Sequence, residues 1–151
     1  MAVRIRTATG ADWPGIAALL EGHGLPLAGA AAHLDDFMVA EDDGQLVGVG
    51  GLELYPDAAL LRSLAVVVPG TGLGSRLVAA LLDRARAQGA GCVVLLTTTA
   101  AAFFTRFGFT AATPDEVPAA VQASCEFQGA CPARATVMLL TRRHEELTST
   151  S

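Results

Sequence analysis

A glycine-rich segment in the middle of the chain has the clearest chemical meaning. Residues 69–75 read Pro-Gly-Thr-Gly-Leu-Gly-Ser and lie between a predicted strand and a predicted amphipathic helix. The first turn of a helix has N–H groups without intrahelical partners, at the positive end of the helix dipole. Gly70, Gly72 and Gly74 allow the backbone to approach an anion closely, and Ser75 adds a hydroxyl. The segment therefore predicts a phosphate or pyrophosphate site; a turn that only reverses the chain is the alternative.

Two familiar phosphate-binding motifs do not fit this segment. All ten basic residues of the chain are arginine, so the lysine-dependent loop of nucleotide triphosphatases is excluded. The dinucleotide fingerprint requires Gly-x-Gly-x-x-Gly after an early strand, whereas the glycines here are spaced Gly-x-Gly-x-Gly in mid-chain. A different class of phosphate-containing ligand is expected.

The elements that must position this loop follow from hydrophobic periodicity and turn residues. Predicted strands cover Val3–Arg6, Phe37–Glu41, Gln45–Tyr55, Leu60–Val68, Cys92–Thr97, a return strand from Phe109, and Ala135–Thr141. Predicted helices follow Thr9–Pro14 and Gly74, and cover Ala100–Phe107 and Val117–Ser124. A meander followed by strand–helix units predicts one α+β domain over residues 1–147, with a mixed, mostly antiparallel central sheet flanked by helices. Residues 148–151 are expected to be a disordered tail.

Composition limits the partners of this domain. The chain has 151 residues, 52% hydrophobic and 17% charged, which argues against intrinsic disorder. A net charge of −5 disfavours nucleic acid as a partner. No apolar run approaches the roughly 20 residues that span a membrane, and the charged N-terminus is unlike a signal peptide. We expect a cytoplasmic protein without a membrane or metal partner, able to form a homodimer.

Three motifs together resemble the GCN5-related N-acetyltransferases (GNAT). They are Leu-Arg-Ser-Leu-Ala-Val at 61–66, Gly-Thr-Gly-Leu-Gly-Ser-Arg-Leu at 70–77, and Ala-Phe-Phe-Thr-Arg-Phe-Gly-Phe at 102–109. The resemblance implies a single GNAT-type domain with acetyl-CoA as cosubstrate and no metal. The residues that it implies for cofactor binding are Leu64, Ala65, Val66, Gly70, Thr71, Gly72, Leu73, Gly74, Ser75, Thr98 and Phe104. It also implies that the N–H of Val66 stabilises the oxyanion that forms on the thioester carbonyl.

A narrower resemblance concerns the acceptor. Residues 60–66, 95–99 and Glu126-Phe127-x-x-x-Cys131-Pro132 are similar to a GNAT group encoded with bacterial arsenic-resistance genes and related to the acetyltransferase domain of N-acetylglutamate synthase. It implies a small amino-acid-like amine as substrate, with Glu126 on the substrate side; a turn-capping role is the alternative for Glu126. Cys125 and Cys131 are a candidate pair for trivalent arsenic, although such cysteines more often pack in a core or loop.

The chain also departs from the family pattern. Pro69 stands where the loop usually has Arg or Gln, and it offers no N–H. The connection from Val66 to Gly72 is about two residues shorter than usual. Phe104 stands where many members have a tyrosine that protonates the leaving thiolate, so no side-chain acid is assigned. A catalytically weak or inactive acetyl-CoA- or metabolite-binding module is therefore the alternative function.

The base and the acceptor site are predicted from strand pairing. If a simple hairpin forms around residues 56–58, Glu53 lies opposite Arg62 on one face of the sheet. Glu53 would then be a possible general base, and Arg62 would hold a substrate carboxylate in a bidentate grip. A cross-strand ion pair without a catalytic role is the alternative. Because Cys92 lies in a buried-type strand, we expect direct transfer in a ternary complex without an acetyl-enzyme.

Overall fold

A single mixed sheet organises the molecule. The computed structural model describes residues 3–124 and 135–141, and within them seven strands run in the order β1-β2-β3-β4-β5-β7-β6. The strands are β1 (Val3–Thr7), β2 (Phe37–Asp42), β3 (Gln45–Tyr55), β4 (Ala58–Val66), β5 (Cys92–Thr97), β6 (Thr110–Ala112) and β7 (Thr136–Thr141). The helices are α1 (Trp13–Gly22), α2 (Leu73–Ala87), α3 (Ala101–Thr105) and α4 (Ala119–Gln122). Every described strand pair is antiparallel except β4–β5, which confirms the predicted α+β fold.

The boundaries of some elements differ from the prediction. Strand β4 begins and ends two residues before the predicted 60–68, because the β3–β4 turn contains only Pro56 and Asp57, with Asp57 in the left-handed region at φ 62°. Val67 and Val68 are consequently exposed beyond the end of the strand. Helices α3 and α4 are shorter than predicted. Glu126, Cys125, Cys131 and the predicted tail lie outside the described residues.

Helix α2 packs closely on one face of the sheet because β3 carries glycines beneath it. The apolar stripe of α2 is buried, and includes Leu77 and Leu81. A Cβ added at Gly48 would lie 2.9 Å from a methyl of Leu77, and one added at Gly50 would lie 2.7 Å from a methyl of Leu81. Any larger side chain on these strand positions would therefore push α2, and the glycine-rich loop that precedes it, away from the sheet.

Helix α1 covers the opposite face. Its buried residues Ile16 and Leu20 pack in one cluster with Phe37 and Val49. The ring of Phe37 is fully buried and lies against Gly51, where an added Cβ would be 2.2 Å from the ring. Residue 51 must therefore lack a side chain.

The two strands that form the parallel pair separate soon after they meet. Pairing between β4 and β5 covers only residues 58–60 with 92–94, and β5 then continues beside β7. Strand β4 also contains a bulge, because its pairing with β3 changes from Gly51 opposite Arg62 to Val49 opposite Ala65. Ser63, within the bulge, has a φ of 61°. The separation and the bulge leave a gap between the carboxyl ends of β4 and β5.

Candidate active site

A cleft of about 370 Å³ occupies the gap between β4 and β5. It is lined by residues 24–26 after α1, by residues 61–64 of β4, by residues 95–100 at the end of β5, by Phe103 and Phe104 of α3, and by Ala135. The cleft thus joins three of the segments in which the sequence predicted functional residues, at Arg62 and Leu64, at Thr98 and at Phe104. Of the described residues, Ala65, Val66 and the glycine-rich residues 70–75 are not part of its lining.

The main chain of β4 presents polar groups to this gap. Val67 N–H donates to the carbonyl of Val47 at 2.8 Å, which directs the amide of Val67 toward β3. Backbone groups of successive residues in a strand point to alternate sides. The N–H and C=O of Val66 therefore point away from β3, on the side where β5 has diverged. This orientation is the one that the predicted oxyanion donor requires.

The glycine-rich loop ends at the first turn of α2 with its backbone exposed. Gly72 is the N-cap of α2 at φ 81°, Gly70 has φ 82°, and no side chain caps the helix. Gly72 accepts the N–H of Arg76 at 3.1 Å, so helical pairing starts one turn later. The N–H groups of residues 73–75 thus precede the intrahelical ladder, as an anion site requires. Pro69 contributes no donor to this set.

Helix α3 connects the cleft to this loop. The Cζ atom of Phe103 lies 3.6 Å from the position of a Cβ on Gly74, so the ring packs on the first turn of α2. Phe104 is only 6% exposed, and its ring meets Phe103 and Phe109 edge-on at centroid distances of 5.0 and 5.9 Å. Thr98 lines the cleft. Phe104 therefore supplies an apolar wall and no proton.

Glu53 and Arg62 form a buried ion pair, but not by the predicted pairing. The register places Glu53 opposite Leu60 and Arg62 opposite Gly51, so the expectation that the two residues lie directly opposite each other was wrong. The difference of two residues keeps both side chains on one face as diagonal neighbours. The Arg62 Nη1 donates to Glu53 Oε2 at 2.6 Å, and the two side chains are 0% and 1% exposed.

Three donors converge on the Glu53 carboxylate. Ser124 Oγ donates to Oε1 at 2.6 Å, Tyr55 OH donates to the same oxygen, and Arg62 donates to Oε2. His33 Nε2 lies 3.9 Å from Oε1. Burial acts to raise the pKa of Glu53, but the hydrogen bonds from Ser124, Tyr55 and Arg62 outweigh it and hold the pKa below its ordinary value. Glu53 is therefore an ionised acceptor.

Arg62 extends from this pair to the wall of the cleft. Its Nε donates to Ser63 Oγ at 3.0 Å, and its Nη2 donates to the carbonyl of Pro26 at 3.2 Å. The guanidinium is thus fixed by β3, by its own strand and by the loop after α1, while Arg62 also lines the cleft. Because the Arg62 side chain is 0% exposed, a carboxylate in the cleft would have to displace the Pro26 carbonyl to reach this preorganised guanidinium.

Sequence reasoning missed several residues of this site. Tyr55 follows Glu53 by two positions in one strand, so alternation alone would have placed the two side chains on one face. Ser124 and His23 gave no such signal, because they are 71 and 43 residues from their partners. The imidazole of His23 lies with Nε2 3.0 Å from the carbonyl of Val66 and Nδ1 2.9 Å from that of Leu19.

Cys92 lies away from the cleft. It begins β5 opposite Ala58, at the paired end of the two strands. Burial, and then the charge of Asp57, raise the pKa of its thiol, which leaves little thiolate. Among residues 3–124 and 135–141, no group of three or more His, Cys, Asp or Glu side chains could hold a metal ion. Nor is any described helix long and apolar enough to cross a membrane.

The chain is similar to several known proteins. The sequence profile of the acetyltransferase (GNAT) domain matches residues 33–111. An amino-acid acetyltransferase of Neisseria meningitidis serogroup A is 35% identical over 77% of this chain, and the chain spans only 29% of that relative. N-acetylglutamate synthase from Neisseria gonorrhoeae, solved with coenzyme A and N-acetyl-glutamate, superposes with a TM-score of 0.78 at 29% identity, over 93% of this chain and 35% of its own. A Mycobacterium tuberculosis protein solved with CoA also gives 0.78, at 27% identity, over 91% of this chain and 98% of its own.

Proposed function

The chain belongs to the GNAT acetyltransferase family, and we propose that it transfers the acetyl group of acetyl-CoA to the amine of a small, amino-acid-like acceptor. The observation that carries the proposal is the cleft between β4 and β5, with Arg62 in its wall and the Val66 amide directed away from β3 at the end of the same strand. Relatives solved with coenzyme A support the cofactor. Because the chain spans only 29% of its Neisseria meningitidis relatives, the activity is proposed for this domain on its own.

Acetyl-CoA would lie along β4 and reach α2. The amides of the loop and first turn, residues 70–75, would bind the pyrophosphate at the positive end of the helix dipole. The pantetheine arm would add to the open edge of β4 at Leu64, Ala65 and Val66, with Thr98 and Phe104 on its other side. The pantetheine arm would thus occupy the gap in which β4 and β5 no longer pair, in the manner of an added strand.

Acetyl transfer would be direct. The Val66 N–H would polarise the thioester carbonyl, the acceptor nitrogen would attack the carbonyl carbon, and collapse of the intermediate would break the C–S bond. The thiolate leaves without a side-chain acid, because a thiol with a pKa of about 8.5 is a tolerable leaving group. The proton lost by the attacking amine goes to water or to the departing sulfur. The position and raised pKa of Cys92 argue against an acetyl-enzyme.

Arg62 would hold the carboxylate of the acceptor, and Glu53 would hold Arg62. The base role of Glu53 stays a prediction, as does the contact of Glu126 with substrate. The three donors on the Glu53 carboxylate favour an ordering role, because a carboxylate that is already hydrogen-bonded and has a lowered pKa is a weak proton acceptor. If Glu53 orders Arg62, Glu53→Gln should raise KM for the acceptor; if it is the base, kcat should fall and its pH profile should change.

Acetyl-CoA turnover with matched acceptors tests the proposal. Release of free thiol should be measured with a panel of amino acids and with the corresponding amino-acid amides, which lack the carboxylate. We expect turnover with at least one amino acid and a KM at least tenfold higher for its amide. Equal turnover of acid and amide would contradict the role of Arg62. The absence of both coenzyme A binding and turnover would contradict the whole assignment.

A second candidate function is supported by Pro69 and Phe104. The first removes a donor from the phosphate loop, and the second removes the usual acid, so the domain would bind acetyl-CoA or a metabolite without turnover. Calorimetric titration that detects tight acetyl-CoA binding, together with no thiol release from any amine, would favour this sensor over the enzyme.

The cellular setting is a further proposal. We place the activity in the cytoplasm, on a small-molecule amine, in a monomer or homodimer. A link to arsenic resistance rests on the sequence resemblance, and arsenite binding by Cys125 and Cys131 stays a prediction. Unchanged arsenite affinity in a double Cys→Ser variant would exclude these cysteines as ligands.

A further inference from the structure

Two arginines, Arg76 in α2 and Arg106 after α3, differ from the other described arginines in their partners. Seven arginines lie in the described part of the chain, and five of them pair with carboxylates there: Arg4, Arg6, Arg62, Arg84 and Arg86. Arg76, in the second turn of α2, donates to the main-chain oxygen of Val3 at 3.3 Å. Arg106 follows α3 and lies over the ring of Phe103. Within residues 3–124 and 135–141, neither Arg76 nor Arg106 forms an ion pair.

The position of Arg106 is fixed by aromatic packing. Its Cζ atom lies 5.1 Å from the centroid of Phe103, the geometry of a cation–π contact. Phe107 supports the same ring edge-on at 5.3 Å. Since Phe103 also packs on Gly74, the guanidinium stands one aromatic ring away from the first turn of α2. Stacking uses the face of the guanidinium and leaves its N–H groups, which lie in the plane, available to an anion.

We propose that Arg106 binds the 3′-phosphate of coenzyme A and so recognises the full cofactor. This inference rests on the proposed function, in which the pyrophosphate lies on residues 70–75. The 3′-phosphate is a separate anionic group, joined to the pyrophosphate through the ribose. With the pyrophosphate on the first turn of α2, the 3′-phosphate would lie beside that turn. Arg106 lies one aromatic ring from the first turn of α2, is exposed, and is held in place by its contact with Phe103.

The glycine-rich loop itself supplies no cation for the 3′-phosphate. The protein carries a net charge of −5, and its phosphate loop has Pro69 and no basic residue between Val66 and Ser75. Main-chain amides can hold the pyrophosphate, but nothing in that loop distinguishes coenzyme A from its form without the 3′-phosphate. An exposed guanidinium–phosphate contact of about 1 kcal/mol changes a dissociation constant about fivefold, enough for such discrimination.

Titration with two ligands and two variants tests the proposal. Dissociation constants for coenzyme A and 3′-dephospho-coenzyme A should be measured by calorimetry for the wild type, Arg106→Gln and Arg76→Gln. We expect Arg106→Gln to weaken coenzyme A about fivefold and 3′-dephospho-coenzyme A less than twofold. Arg76→Gln has the same charge change beside the same helix end, and should affect both ligands equally. Arg106→Lys should retain part of the preference, because it keeps the charge and loses the planar fork.

The outcomes separate this inference from the proposed function. If the wild type binds both ligands equally, or if Arg106→Gln weakens both to the same degree, the 3′-phosphate contact is refuted while coenzyme A binding stands. If Arg76→Gln is the variant with the selective loss, the contact belongs to Arg76 and the proposal is wrong. If the wild type binds neither ligand, the proposed function fails with it. Thermal unfolding of each variant checks that the exposed substitutions leave the fold intact.

Discussion

Removal of the negative charge of Glu53 should destabilise the fold strongly, although the substituting glutamine has nearly the same volume. Glu53→Gln preserves the volume but leaves the guanidinium of Arg62 buried without its counter-charge, and both side chains are essentially inaccessible to solvent. The amide also replaces one acceptor oxygen by a donor, whereas Ser124, Tyr55 and Arg62 all donate to this group. Breaking a buried pair in this way typically costs about 3–5 kcal/mol. We expect a loss of about 3 kcal/mol in the free energy of unfolding.

Urea unfolding at neutral pH measures this loss through a double-mutant cycle. The variants are Glu53→Gln, Arg62→Met and the double substitution, with Asp83→Asn as control for an exposed pair on α2. We expect the double variant to be more stable than the sum of the single effects by at least about 1.5 kcal/mol, because it leaves no unpaired buried charge. Additive single effects, or a Glu53→Gln loss no larger than that of Asp83→Asn, would refute the reasoning.

The pH dependence gives an independent readout of the same pair. Because the folded state lowers the pKa of Glu53, its stabilising contribution is complete above the pH at which an unfolded glutamate ionises. It is lost as the pH falls through the folded pKa. Glu53→Gln should therefore lose less stability on acidification than the wild type. An identical acid dependence of the two proteins would contradict the lowered pKa.

Three further substitutions test other parts of the structure. Asp12 accepts two hydrogen bonds from Arg6, which lower its pKa to about 2. Asp12→Asn should therefore cost about 1 kcal/mol in the free energy of unfolding at neutral pH. In urea titrations this loss should vanish as the pH falls from about 4 toward 2. Gly51→Ala should cost at least about 3 kcal/mol, or prevent folding, because its Cβ would overlap the Phe37 ring; a wild-type thermal midpoint would disprove the close packing. Pro69→Gln should tighten coenzyme A binding severalfold by restoring a main-chain donor; unchanged affinity in calorimetry would show that this amide is not used.

Local patterns were sufficient to predict the parts of the molecule that depend on near neighbours. The glycine-rich loop and α2 could be predicted because apolar spacing and N-terminal glycines lie within a few turns of each other. Strand β3 was predicted with its observed bounds for the same reason. Parts of the family motifs at 61–66 and 102–109, residues 61–64 with Phe103 and Phe104, line one cleft.

Other parts depend on geometry that no local pattern contains. The left-handed φ of Asp57 allows a two-residue turn, and this turn sets the register of β3 and β4. Glu53 therefore lies opposite Leu60, two residues before the predicted partner Arg62. The contact between Glu53 and Arg62 was still found, because a difference of two keeps the face of the strand. The contacts of Ser124 and His23 join segments far apart in sequence, and only the folded arrangement reveals them.

The bulge at Ser63 divides β4 into two halves of opposite phase. Arg62 and Ala65 both face α1, while Leu64 and Val66 pack toward α2, an alternation that an unbroken strand could not produce. In the proposed function, changes before the bulge could thus alter acceptor choice without rotating the half that would meet the thioester. Deletion of one residue within the bulge, Ser63 or Leu64, would restore plain alternation between Arg62 and Ala65 and leave the second half in phase, whereas deletion of a residue outside the bulge would turn the residues that follow it to the other face.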